Sequence, residues 1–245
     1  MIGFFDKIFR TRMRIHYSWL GVIVFMTLSV ATQFATSLSL VRRIVLGLIA
    51  SLVYFIIVFV KELIITRVAI SRGNHIRSVR IFALGSVRDT EPEKNSPVLE
   101  TLLGVTGLLT NLVFAGILFV IFLIRGNSGS QVIQVLLQWT AFITFMVAII
   151  NIVPVLPLDG GRVLGAIVWK ATGNFKLVTV LLSWIGWVFG GVMVVLGAFV
   201  LKDTRQWFVP VLLALPGLII QNSATHCRRL VQPKKPRKVS LHECP

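Results

Sequence analysis

Six apolar stretches, at residues 17–35, 44–65, 101–124, 132–156, 178–200 and 206–221, dominate this sequence. A helix needs about 20 mostly apolar residues to cross roughly 30 Å of hydrocarbon, and all but the last stretch reach that length. The last is short and holds Pro210 and Pro216, so a sixth span and a re-entrant or interfacial helix both fit it. Charged residues make up only 14% of the chain, against about 25% in soluble domains. An ordinary water-soluble globule is excluded, and an all-α polytopic membrane protein of about six spans is expected.

The distribution of basic residues sets an orientation. Of the 25 Lys and Arg, 19 fall in the N-terminal segment, the 66–100 and 157–177 loops and the residues after 221, and five fall in the alternate connections. Positively charged loops are retained in the cytoplasm, so both termini are expected there, in a bacterial cell membrane. The formal charge of +16 is therefore topological. Nucleic-acid binding needs basic residues gathered on a solvated face, and these are scattered between apolar runs. The first apolar run is too long for a signal-peptide core, and its exit at Ala31–Ser37 is a poor cleavage site, so an uncleaved first span is expected.

The chain thus divides into a cytoplasmic N-terminus (1–16), a transmembrane domain (17–221) and a basic cytoplasmic tail (222–245), expected to be disordered. The Pro233–Lys238 run of the tail suits anionic lipid headgroups. Cys227 and Cys244 belong to it, with His226 and His242, in a spacing that matches no common zinc finger. Within 66–100, the segment His75–Leu84 alternates over Arg77, Val79, Ile81 and Ala83 and precedes Gly85. This reads as a small cytoplasmic β-hairpin between the second and third spans, lying on the helices and serving either as a connector or as an edge for a client peptide. Gly186 and Gly190 in the fifth span suit close helix packing within the chain.

Only two of the nine carboxylates, Glu62 and Asp159, are embedded in apolar sequence. Ionisable groups there are costly and face a protein interior or a water-filled cavity. Both lie near the cytoplasmic ends of their spans, so they can meet at one depth. Around the second the chain reads Asn151-Ile-Val-Pro154-Val-Leu-Pro157-Leu-Asp159-Gly160-Gly161-Arg162. The prolines interrupt a helix and the glycines permit a tight turn, as expected either of a cavity-lining break or of a turn in which Asp159 caps a following helix.

This string resembles the third-ligand motif of the site-2 protease family, intramembrane zinc metalloproteases. Ile15-His16-Tyr-Ser-Trp19 is similar to the family's entry into its first span. Glu100 followed by Gly107-Leu-Leu-Thr-Asn111 is similar to its third-span motif, with Leu108 where the family has proline. The resemblance runs over residues 15 to 175 and implies that Glu62 stands at the general-base position and Asp159 at the third metal-ligand position. Asn111, Asn151, Pro154, Pro157, Gly160 and Gly161 complete the implied site.

The second span departs from the family. Its His-Glu-x-x-His motif puts two zinc ligands on one helical face, with the glutamate activating the metal-bound water. This chain reads Lys61-Glu62-Leu63-Ile64-Ile65. An ammonium repels a metal ion and Ile65 has no lone pair, so no cofactor is expected and Glu62 is expected to be vestigial. Lys61 is expected either to pair with Asp159 or Glu62, leaving one excess negative charge among the three, or to snorkel with Glu62 to the membrane interface.

The leading expectation is a non-catalytic pseudoprotease that binds or regulates single-span membrane proteins, or regulates an active relative. An active zinc endopeptidase, with zinc as its cofactor, and a small ion-coupled transporter are the alternatives.

Overall fold

The computed structural model describes residues 12–34, 38–74, 76–82, 85–90, 96–125, 130–156, 158–203 and 208–231. Along the chain these form β1 (Arg12–Ile15), α1 (Ser18–Ala31), α2 (Leu40–Ser71), β2 (Ile76–Phe82), β3 (Gly85–Thr90), α3 (Pro97–Arg125), α4 (Gln131–Ile152), α5 (Asp159–Thr172), α6 (Phe175–Asp203) and α7 (Phe208–Val231).

Helix ends are set by local chemistry. The hydroxyls of Ser39, Ser96 and Ser130 accept from Arg42, Leu99 and Val132 backbone N–H groups and start α2, α3 and α4. Gly73 and Gly173 adopt positive φ, 77° and 67°, just past α2 and α5, a conformation glycine takes without steric cost.

Among the described residues, α2, α3, α4, α6 and α7 are long and apolar enough to cross a membrane. Their outward residues, among them Leu52, Leu109, Phe119, Phe145, Leu196 and Phe199, remain exposed, as lipid contact requires. The first expected span is the shorter α1, whose 14 residues extend about 21 Å at 1.5 Å each. It runs antiparallel to α2, where Trp19 meets Phe55 edge-on at 4.8 Å between ring centroids. Farther along, the Thr27 and Ser51 hydroxyls hydrogen-bond at 3.1 Å.

Three features differ from the sequence reading. The 157–177 segment, expected as a loop, contains α5, which is too short to span and buries Asp159, Gly160, Gly161 and Ala166. The hairpin is the larger part of a three-stranded sheet, because β1 pairs in parallel with β2, Arg12 opposite Ser78 and Ile15 opposite Ile81. Finally, α7 continues unbroken past Pro216 to Val231, so residues 222–231 are helical where a disordered tail was expected. Packing explains this, since Ser223 and Ala224 are buried and Arg228 stacks on Trp184 of α6. The rest of the tail, including Pro233–Lys238, His242 and Cys244, lies outside the described residues.

The sheet docks on the core shared by α1, α2 and α3. Ile76, Val79 and Ile81 of β2 are buried with Trp19, Ile65, Ala69, Leu99 and Leu103, which fixes the sheet against the C-terminal third of α2. Gly190 and Gly217 bring α6 and α7 together backbone to backbone, so the small residues of the fifth span serve packing within the chain.

Candidate functional site

The site lies where α2, α3, the start of α5 and β3 converge. Lys61 and Ile65 are one helical turn apart on α2 and share a face, Lys61 about 15 Å before the helix ends at Ser71 by the helical rise. On α3, Gly107 and Asn111 likewise share a face.

Asp159 arrives by a different route. After Asn151 the chain passes Pro154, which has no N–H to continue α4. Val155 N–H then donates to Val153 O at 2.8 Å, and Leu158 N–H donates to Val155 O at 2.9 Å. This break turns the backbone so that Asp159 opens α5, and Gly160 and Gly161 pass against the backbone of Ile152, Val153 and Val155, where no side chain fits. Leu158 is the N-cap residue, so Asp159 is not the helix cap; its carboxylate faces α2 and α3. Asn151 is buried and its amide donates to Val147 O at 2.8 Å. Pro157 lies outside the described residues.

Lys61 Nζ stands 2.7 Å from Asp159 Oδ2, with side chains 3% and 7% exposed. Asn111 Nδ2 approaches the same oxygen at 3.4 Å. A Cβ on Gly107 would stand 2.6 Å from the Asp159 carboxyl carbon, so that glycine is the space the carboxylate occupies. Lys61 is therefore a buried partner of Asp159 and does not snorkel to the interface. Glu62, also buried, accepts from the Ser86 hydroxyl on β3.

Two participants escaped the sequence reading. Ser86 carries no chemical signature, and its partner is 24 positions away. Arg162, one turn beyond Asp159, donates from Nη2 to Ser86 O at 2.9 Å. Ser86 is thus held from both sides. Burial disfavours the Arg162 charge, and Glu100, Asp159 and Glu62 more than offset that, so its pKa is raised. Arg162 adds a second cation to Lys61, Glu62 and Asp159, and Glu100 adds a third carboxylate, so the formal count stays at one negative. The string Asp-Gly-Gly-Arg already held the signal, because a charge one turn from a buried carboxylate shares its face.

Zinc does not fit these residues. A catalytic zinc takes three protein ligands and a water. The Asp159 oxygen that would face it already holds an ammonium, and Ile65, fully buried, offers no lone pair. His16 sits between β1 and α1 and His226 on α7, while His75 lies outside the described residues. Among the described residues no group of three or more His, Cys, Asp or Glu side chains is placed to hold a metal ion.

Residues 44–193 match the model of peptidase family M50. The zinc metalloprotease homologue sll0528 of Synechocystis sp. is 32% identical over 189 residues, covering 74% of this chain and 48% of its own length; the chain spans about half of that relative. The fold is that of the site-2 protease from Methanocaldococcus jannaschii, with a TM-score of 0.66 at 20% identity over 93% of this chain and 95% of the other.

Proposed function

The chain belongs to peptidase family M50, the site-2 proteases, and is an integral membrane protein; from that premise we propose that it is a non-catalytic member, which binds or regulates membrane-helix clients without cutting them. The observation that carries this reading is the Lys61–Asp159 ion pair at 2.7 Å, set where the family places its metal. Without a metal ion, water keeps its high pKa and Glu62 has no activated nucleophile to generate.

What the scaffold retains supports binding. The exposed apolar faces, among them Leu52, Leu109 and Phe145, are surfaces on which single-span proteins or an active relative could associate laterally. The positive-inside distribution supports a cell-membrane location with both termini in the cytoplasm, and the basic residues after Val231 support contact with anionic lipid. No nucleic-acid partner is part of this reading.

A cleavage assay in proteoliposomes with a single-span, signal-peptide-like substrate tests it. We expect no product above that of a Glu62→Gln control, while the substrate copurifies with the wild type. The competing reading, an active zinc endopeptidase, draws on the name of the Synechocystis relative. It requires cutting that Glu62→Gln abolishes.

A further inference from the structure

The outer face of the sheet carries charge that neither the core nor the candidate site uses. β1, β2 and β3 hold five arginines, Arg12, Arg14, Arg77, Arg80 and Arg88, against one carboxylate, Asp89. The parallel register sets Arg14 directly beside Arg80, on strands about 4.8 Å apart. Both side chains are exposed, while Val79 and Ile81, which flank Arg80 along β2, are fully buried on the opposite face. Neighbouring like charges repel across a sheet. Among the described residues neither arginine has a carboxylate partner. Asp89, register-paired with Ser78, can offset at most one of the five positive charges.

This face stands at the membrane boundary. Counting about 20 residues from Ile44 along α2 reaches Leu63, and β2 packs around Ile65 and Ala69, just beyond it. From β1 the chain leads into the bilayer. His16 N–H donates to Ile81 O at 3.0 Å, and α1 starts two residues later, with Trp19 already beside Phe55. Ile15, Tyr17 and Leu20, close to Arg14 in the chain, are each more than half exposed. Arginines followed by an outward tyrosine and aliphatic side chains follow the order of a bilayer interface, with charge at the headgroups and apolar groups below.

We propose that the outer face of the sheet seats on anionic phospholipid, with Arg14 and Arg80 sharing one lipid phosphate. The phosphate relieves the repulsion between the two guanidinium groups, and the acyl chains meet Ile15, Tyr17 and Leu20. An acidic peptide or a free phosphate matches the arginines and leaves the apolar flank unused. Ser86 of β3 is the Cα partner of Ile81, next to Arg80, so lipid charge also steadies the strand whose serine holds Glu62 and Arg162. The contact is separate from the basic tail and does not depend on whether the protein cleaves anything.

Hydrogen exchange of the full chain in nanodiscs of phosphatidylcholine, with or without phosphatidylglycerol, tests the assignment. In the wild type, phosphatidylglycerol should slow exchange across β2 and β3 about tenfold, the order that two basic residues near an anionic leaflet supply, with α6 and α7 as the unchanged reference. Arg80→Gln should slow exchange in phosphatidylcholine alone, because the repulsion is gone, and should abolish most of the further response to phosphatidylglycerol. Arg42→Gln, at the opposite end of α2, should respond as the wild type does. Soluble polyglutamate or millimolar inorganic phosphate, added to phosphatidylcholine discs, should leave exchange unchanged. Where Arg80→Gln lowers the yield of folded protein, Arg14→Gln decides. Equal exchange in the two kinds of disc, or a full phosphatidylglycerol response in both arginine variants, would overturn the proposal. So would protection by polyglutamate or phosphate alone, which would identify an acidic-peptide or free-anion surface instead.

Discussion

Lys61 and Asp159 face each other at 2.7 Å across α2 and α5, 98 positions apart in sequence and almost wholly out of solvent. An ion pair so placed contributes little net stability against an apolar replacement, because both partners lose hydration, yet removing one partner leaves the other charge stranded. Lys61→Met should destabilise the folded protein by about 3–5 kcal/mol, and Asp159→Asn added to it should recover most of the loss. Thermal unfolding of the two variants in one detergent measures this; equal Tm values for Lys61→Met and the wild type would sink the pairing account.

Gly107 marks the space the carboxylate needs. An alanine there puts a methyl group into the Asp159 carboxyl, so Gly107→Ala should cost about 1–3 kcal/mol. Gly116, farther along α3, has nothing within 4 Å of an added Cβ, and its alanine variant should be neutral or slightly stabilising. The difference in Tm between the two substitutions is the readout.

Ser86 ties the sheet to the buried charges of the site through Glu62 and Arg162. Losing its hydroxyl leaves a buried carboxylate short of a donor, a cost of about 1–3 kcal/mol. Ser86→Ala should therefore speed amide hydrogen exchange across β3 while leaving α6 and α7 unchanged. Exchange that rises uniformly over the chain would point to general destabilisation instead.

If only the ligands have been lost, restoring them should restore the metal. Lys61→His with Ile65→His puts two imidazoles on the α2 face that meets Asp159, completing three ligands for zinc. The double variant should copurify with about one zinc per chain, and a further Asp159→Ala should abolish it. Metal-free double variant would mean that the backbone around the site has moved away from a metal-binding geometry.

Much of this was legible in the sequence, for physical reasons. Transmembrane helices announce themselves by length and hydropathy, so α2, α3, α4 and α6 lie close to where the apolar runs place them. Glu62 and Asp159 stand out because carboxylates are rare in apolar sequence, and the His-Glu-x-x-His frame gave Lys61 and Ile65 their significance. α5 was missed because 14 residues cannot span a bilayer and a search for spans passes over it. β1 has four residues, too few for alternation to register, and its partner strand lies more than 60 positions away. Ser86 enters the site only through tertiary contact, which no local pattern encodes, whereas Arg162 was legible one turn beyond Asp159. The helical stretch from Asn222 to Val231 is polar enough to read as tail, and packing against α6 decides otherwise.

Zinc content of the purified wild-type protein, measured by elemental analysis after expression in zinc-supplemented medium, decides whether Lys61 has taken the place of the metal. It should be far below stoichiometric and unaffected by Asp159→Ala. About one zinc per chain, lost on Asp159→Ala, would contradict it and return the protein to the metalloproteases.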